Sequence, residues 1–375
     1  MSLQLKETLS QKWHSIQRNL FPWLAQELGP LSHKHQQLVA TLEMIKLEDF
    51  IRTNRGCVGR PSASRVAIAS AFVAKAILNC PTTRHLLDRL KVDQVLRRIC
   101  GWERVQDIPK EWSFSRAFAE CANSELCQKM HEALIKNYHS DRIVGHISRD
   151  STAIEAREKV AREHPPKVKE KRLKQKRGRP CKGEIREFKK APELTRIERQ
   201  REMSSAEEML SELPKACDIG TKRNAEGRHY IWKGYKLHLD TADGGIPISA
   251  VLTSASLHDS QVAIPLATMS AEKVDYCYEL MDAAYDAGPI RLHSYACGHV
   301  PLIDFNRRSQ KDTRAFTPHE AKRYKERSTA ERCNSRLKDD FGALYLRVKG
   351  HAKVMAHLMF GILALTVDQL IRFVT

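Results

Sequence analysis

Near Ile143 the spacing of apolar residues changes from a helical period to a strand period. That change divides the chain into two parts of different architecture. On the N-terminal side, SASRVAIASAFVAKAILNC (Ser62 to Cys80) is Ala-rich and apolar on more than one face, as a buried helix is. Pro81-Thr82-Thr83 stops it and opens a second helix, TTRHLLDRLKVDQVLRRICG, which closes at Gly101. After the turn DIPKEWS comes a third, FSRAFAECANSELCQKMHEALIKNY. Residues 1 to about 140 are therefore expected to be all helical.

On the C-terminal side, IVGHISRDSTAIEA alternates as a strand that ends in, or runs through, Asp150. HYIWKGYKLHLDTADGGIPISAVLTSAS reads as two strands joined by the turn DGG, a hairpin signal. SLHDSQVAIPLATMSAE follows as a helix behind a polar cap. VDYCYELMDAAYDAG and HVPLIDFN supply further strands, and two helices finish the chain. This order predicts an α/β class, a mixed sheet flanked by helices, over 141–375.

Charge narrows the choice of partner. Among 375 residues Lys plus Arg exceed Asp plus Glu by 18, which points to a polyanion. Anionic membrane and nucleic acid both fit that sign. The start, MSLQLKETLSQKWHSIQ, lacks an uninterrupted apolar run, so no signal peptide is expected. The apolar tail from Met355 to Val374 keeps His357, Asp368 and Arg372, which a lipid-spanning helix rarely does. Nucleic acid is the polyanion that remains, with no membrane partner. Ten cysteines without a CxxC pair suit reduced thiols in a cytoplasmic compartment. The nearest cysteine pairs, such as Cys121 with Cys127, do not match a zinc-finger spacing, and His293, Cys297 and His299 form the one His/Cys cluster. The N-terminal helices suit a helix-turn-helix-like DNA-binding unit, and equally any small helical bundle.

The most biased segment interrupts the strand region at about 157–203. Arg157 to Glu202 holds 18 Lys/Arg against 8 Asp/Glu. Such runs are often solvated tails; opposite a polyanion, phosphate contact is their natural work. Within it, KRGRP resembles the Arg-Gly-Arg-Pro centre of an AT-hook, which makes Arg177 and Arg179 candidates for minor-groove insertion.

YKERSTAERCNSRLK, Tyr324 to Lys338, has no Gly or Pro and reads as a helix. At about 100° per residue, Tyr324, Arg327, Glu331 and Lys338 fall within roughly 60° of one another. Alone, such a stripe is most simply a solvated face with an Arg327–Glu331 pair. Metal-assisted phosphoryl transfer, however, needs hard oxygen ligands gathered from several elements. Asp150, Asp282 and Asp286 lie at strand ends, with Glu331 on the late helix. Asp286 precedes a helix and suits an N-cap, so Asp282 is the preferred second carboxylate.

The spacing Tyr-x2-Arg-x3-Glu-x6-Lys, with a first-strand Asp and MDAAYDAG, resembles the DDE transposases of bacterial insertion sequences, specifically the IS4-like superfamily. The likeness covers about Ile143 to Thr375 and, more loosely, Ser62 to Tyr138; the basic insertion is its main departure. It implies a ribonuclease H-like catalytic domain over 141–375, behind an N-terminal helical DNA-binding region over 1–140. It also implies that Asp150, Asp282 and Glu331 are catalytic and bind two divalent ions, Mg2+ or Mn2+. Tyr324, Arg327 and Lys338 are then expected at the DNA. The partners implied are double-stranded DNA, both element ends and target, and a second copy of the chain in a homodimer, in the bacterial cytoplasm at the nucleoid. Asp259 reads as a helix cap. Lys236, which shares the polar face of its strand with His238 and Asp240, is a better DNA candidate than Lys233, though solvation is the simpler reading for either.

Overall fold

A computed structural model describes residues 3–51, 63–139, 142–160, 194–223, 227–305 and 315–374. Six strands form one sheet: β1 (Val144–Glu155), β2 (Asp218–Arg223), β3 (His229–Ala242), β4 (Ile246–Ser254), β5 (Tyr276–Met281) and β6 (Val300–Ile303). β3 pairs antiparallel with β1, β2 and β4, while β1, β5 and β6 run parallel. This mixed sheet, with helices against it, is ribonuclease H-like. The predicted hairpin is β3–β4, and Gly244 and Gly245 close it at φ 79° and 78°, a conformation open to glycine. Sequence reading did not find β2, nor the helices Arg196–Glu202 and Ala206–Ser211 before it.

β1 lies at the centre, which explains a charged residue in its interior. Arg149 is buried, and its guanidinium donates twice to Asp240 of β3 at 2.8 Å and once to Glu279 of β5 at 3.3 Å. Ser270 and Ser294 donate to the same two carboxylates. Three neighbouring strands are thus held in one register by a fully bonded ion network.

The N-terminal helices meet the sheet through the last helix. Arg65–Ile77, capped by Ser64 on the Ala67 N–H, is buried on nearly all sides, as its composition predicted. The predicted helix from Thr82 to Gly101 is split at Asp93, because that carboxylate accepts from the Leu96 N–H at 2.9 Å and starts a new helix. The terminal helix, His351–Arg372, packs against Arg65–Ile77, Glu111–Asn123, Leu126–His139 and β4. It is long and apolar enough to cross a membrane, but its apolar surface is largely buried inside the fold. One apolar core runs from the helical region into the sheet.

Candidate active site

Asp150 stands within β1, and Asp282 immediately follows β5. The parallel register sets Ser148 against Leu280. Two residues further along, Asp150 and Asp282 come level on the same face, because side chains alternate with period two. Desolvation pushes Asp150 up to about 6, and the Asp282 charge acts in the same direction. Asp282 is also raised, first by desolvation and then by the nearby Asp259, with Arg327 and Lys222 opposing. The Asp282 carboxylate further accepts from the Ala284 N–H at 3.0 Å, which fixes the turn Ala283–Tyr285.

Two residues that sequence reading missed complete the surroundings. Asn334, buried on the helix Ser328–Asp340, donates from Nδ2 to Asp150 Oδ2 at 3.0 Å. Its Oδ1 is buried without a hydrogen-bond partner. The Tyr285 hydroxyl is likewise buried and unpaired, and the charges of Asp259, Asp150 and Asp282 all act on it. Repelling carboxylates beside orphaned polar oxygens make a donor set that fits a hard divalent cation.

Glu331 stands apart from this pair. Its side chain is 54% exposed, and Arg327 Nη2 holds its Oε1 at 2.6 Å. Among the described residues, no three His, Cys, Asp or Glu side chains are gathered closely enough to hold a metal ion. The local backbone also departs from expectation. The expected single helix is instead Pro318–Tyr324, a 3₁₀ turn Lys325–Arg327, and Ser328–Asp340. Three residues at 3.0 per turn rotate the flanks by about 60° relative to a continuous α-helix. Tyr324 turns its hydroxyl toward the sheet while Arg327, the partner of Glu331, stays over its ring at 6.0 Å. Its hydroxyl donates to the Met281 carbonyl at 3.1 Å, and its ring packs on Phe316. Burial raises Tyr324 to about 12, so it stays a donor. In this structure the Tyr324 hydroxyl therefore anchors the residue before Asp282.

Other expectations also shift. Lys236 is largely buried, with Nζ 2.9 Å from Asp259 and 2.8 Å from the Leu257 carbonyl, rather than solvated. Asp259 is no cap, because that place belongs to His258, whose Nδ1 accepts from the Ser260 N–H. Asp259 is instead the acidic partner of Lys236, with Ser151 and His238 also at hand. Asp286 pairs with Arg291 at 2.9 Å, and Ala287 takes the N-cap position of the helix Gly288–Ala296. Lys338 is half-buried; burial and Lys222 lower its pKa, while Glu155, Asp339 and Asp150 oppose. Cys297 and His293 lie 3.7 Å apart, while His299 stacks on Tyr276. Arg177 and Arg179 lie outside the described residues.

The family model described as "Transposase DDE domain" matches residues 150–367, a span that opens on Asp150 and includes Asp282 and Glu331. The chain belongs to the DDE transposases. A second family, described as a transposase domain, matches residues 25–120, within the N-terminal helices of this transposase. No curated protein and no solved structure matches it. As a DDE transposase the chain is an enzyme of transposition, a class of enzyme that acts on DNA.

Proposed function

We propose that this transposase serves an IS4-like insertion sequence, cutting DNA at the element's ends and joining those ends to a target. The observation that carries the reading is the pair Asp150 and Asp282, level on adjacent parallel strands and each made hard to ionise by its surroundings. With Glu331 as third ligand, these carboxylates would hold two divalent ions, Mg2+ or Mn2+. Such ions, when bound, supply Lewis acidity and a lowered water pKa. The protein's own part is positioning. Asn334 fixes the Asp150 carboxylate, Tyr324 fixes the backbone before Asp282, and Arg327 holds Glu331 until it is needed. Lys338 brings positive charge to the same cleft, where a phosphate next to the scissile bond would lie. The reaction is in-line displacement at phosphorus. Water first breaks one phosphodiester, and the freed 3′-hydroxyl then attacks a second.

The reading further places the protein in the bacterial cytoplasm at the nucleoid, working as a homodimer on paired ends. The N-terminal helices would recognise the ends, with Arg177, Arg179 and the segment around them adding phosphate contacts. The test is a strand-transfer assay on DNA carrying the element's terminal repeats. Joined product is expected; nicks without joining would point to a simple nuclease, and shifted bands alone to a binding protein.

A further inference from the structure

β3 is longer than the sheet that supports it. Its pairing with β1 begins at Gly234, with the Ala156 N–H also reaching the Lys233 carbonyl, and with β4 at Tyr235, so His229–Trp232 pair with β2 alone. Of the six β2–β3 residue pairs, Asp218↔Gly234 lies within the sheet, and the others run on as a two-stranded ribbon to Arg223↔His229.

The two faces of this ribbon differ. On one, Trp232 is buried and lies flat over β2, where a Cβ on Gly220 would come within 2.3 Å of the ring. Its Nε1 donates to the Tyr235 carbonyl at 2.9 Å, Tyr230 stacks on it, and the Tyr230 hydroxyl donates to Glu155 of β1. That face braces the ribbon. On the other face Ile219 pairs with Lys233, and Thr221 with Ile231. Ile219 is 50% exposed and Ile231 63%, with Thr221 and Lys233 exposed beside them. The ribbon is the start of β3, which further along pairs Leu239 with Asp150, and Lys222, paired with Tyr230 on the braced side near the outer end, acts electrostatically on Asp150, Asp282 and Lys338.

We propose that the β2–β3 ribbon is a DNA-reading arm whose open face, Ile219, Thr221, Ile231 and Lys233, enters the major groove beside the cleavage position. The proposal rests on the transposase reading above. A two-stranded ribbon fits a groove about 12 Å wide, and isoleucine and threonine methyls meet the thymine methyl there, with lysine reaching base or phosphate. A second copy of the chain is the poorer occupant. Two isoleucines fall well short of the roughly 800 Å² per partner of a stable protein interface, and an exposed lysine among them suits a polyanion better.

The test uses the full chain, a mixed-sequence DNA duplex and no divalent metal, so that binding is read apart from chemistry. Ile231→p-benzoylphenylalanine is expected to give a light-dependent adduct with the DNA. Lys233→Ala is expected to lower the slope of log affinity against log salt by about one, and Ile231→Asp to weaken binding about tenfold or more. Both positions are exposed, and circular dichroism checks that each of the three variants folds. A chain-to-chain adduct overturns the proposal, as does unchanged affinity and slope in both point variants while the wild type binds. If the wild type does not bind the duplex at all, the DNA reading of the whole molecule fails first and the ribbon proposal with it.

Discussion

At the scale of single residues, Asp150 makes the site's demands visible. A carboxyl raised to about 6 binds its proton more tightly in the folded chain than in the unfolded one. The stability this contributes is fully present below the unfolded value and is lost as pH rises through the folded one. The metal-free protein should therefore be less stable at pH 7.5 than the shift-free case. Asp150→Asn removes that dependence, and thermal melts should show it more stable than wild type at pH 7.5, by about 2–3 kcal/mol, with the difference shrinking toward pH 4. A divalent ion should reverse the order, stabilising the wild type alone. Asn334 belongs to the same scale. Its single bond to Asp150 aims that carboxylate, so Asn334→Ala should weaken Mn2+ binding by about 10–100-fold in calorimetry, as loss of an outer partner of a metal ligand does.

Among elements, the strands decide most, and they were the most legible part of the sequence. Alternation in IVGHISRDSTAIEA and the run YCYELM marked two strands with Asp150 and Asp282 in or after them, and the pairing of β1 with β5 then brought the two carboxylates level. What alternation does not carry is partnership across strands. Arg149, Asp240 and Glu279 each look like a surface charge until β3, β1 and β5 pair, when all three become buried together. Lys236 and Asp259 escaped for the same reason, since their ion pair joins residues from β3 and from the loop after β4. The late helix was legible in its composition but not in its break. A helix pattern contains no sign that the Tyr324 hydroxyl reaches the Met281 carbonyl through a 3₁₀ turn. Arg149→Met would leave Asp240 and Glu279 buried without their cation. It is expected to cost about 3–5 kcal/mol in denaturant unfolding, far more than removing an exposed arginine such as Arg84.

Taken whole, the molecule joins a DNA-directed charge to a core that crosses its two parts. The terminal helix illustrates the limit of composition, because the same apolar stretch satisfies a membrane span and a buried core helix. Its neighbours decide: helices on one side and β4 on another already cover it. Gly361 marks how close that packing is, since a Cβ there would come within 2.6 Å of the Phe341 carbonyl at the end of the Glu331 helix. The charge is concentrated differently. Residues 161–193 carry 13 Lys/Arg against 5 Asp/Glu. Deleting them should weaken duplex binding across all sequences and flatten its salt dependence by several units of slope, measured by fluorescence anisotropy.

The central claim is that Asp150, Asp282 and Glu331 act as one site, although Glu331 rests on Arg327 in this structure. Single-turnover cleavage of terminal-repeat DNA by Asp150→Asn, Asp282→Asn, Glu331→Gln and Asp286→Asn tests it most directly. The first three should each lose on the order of 10²–10³-fold or more, while Asp286→Asn, which releases Arg291, should stay within about tenfold of wild type. Full cleavage by Glu331→Gln, or loss in Asp286→Asn with Asp282→Asn unaffected, would contradict it.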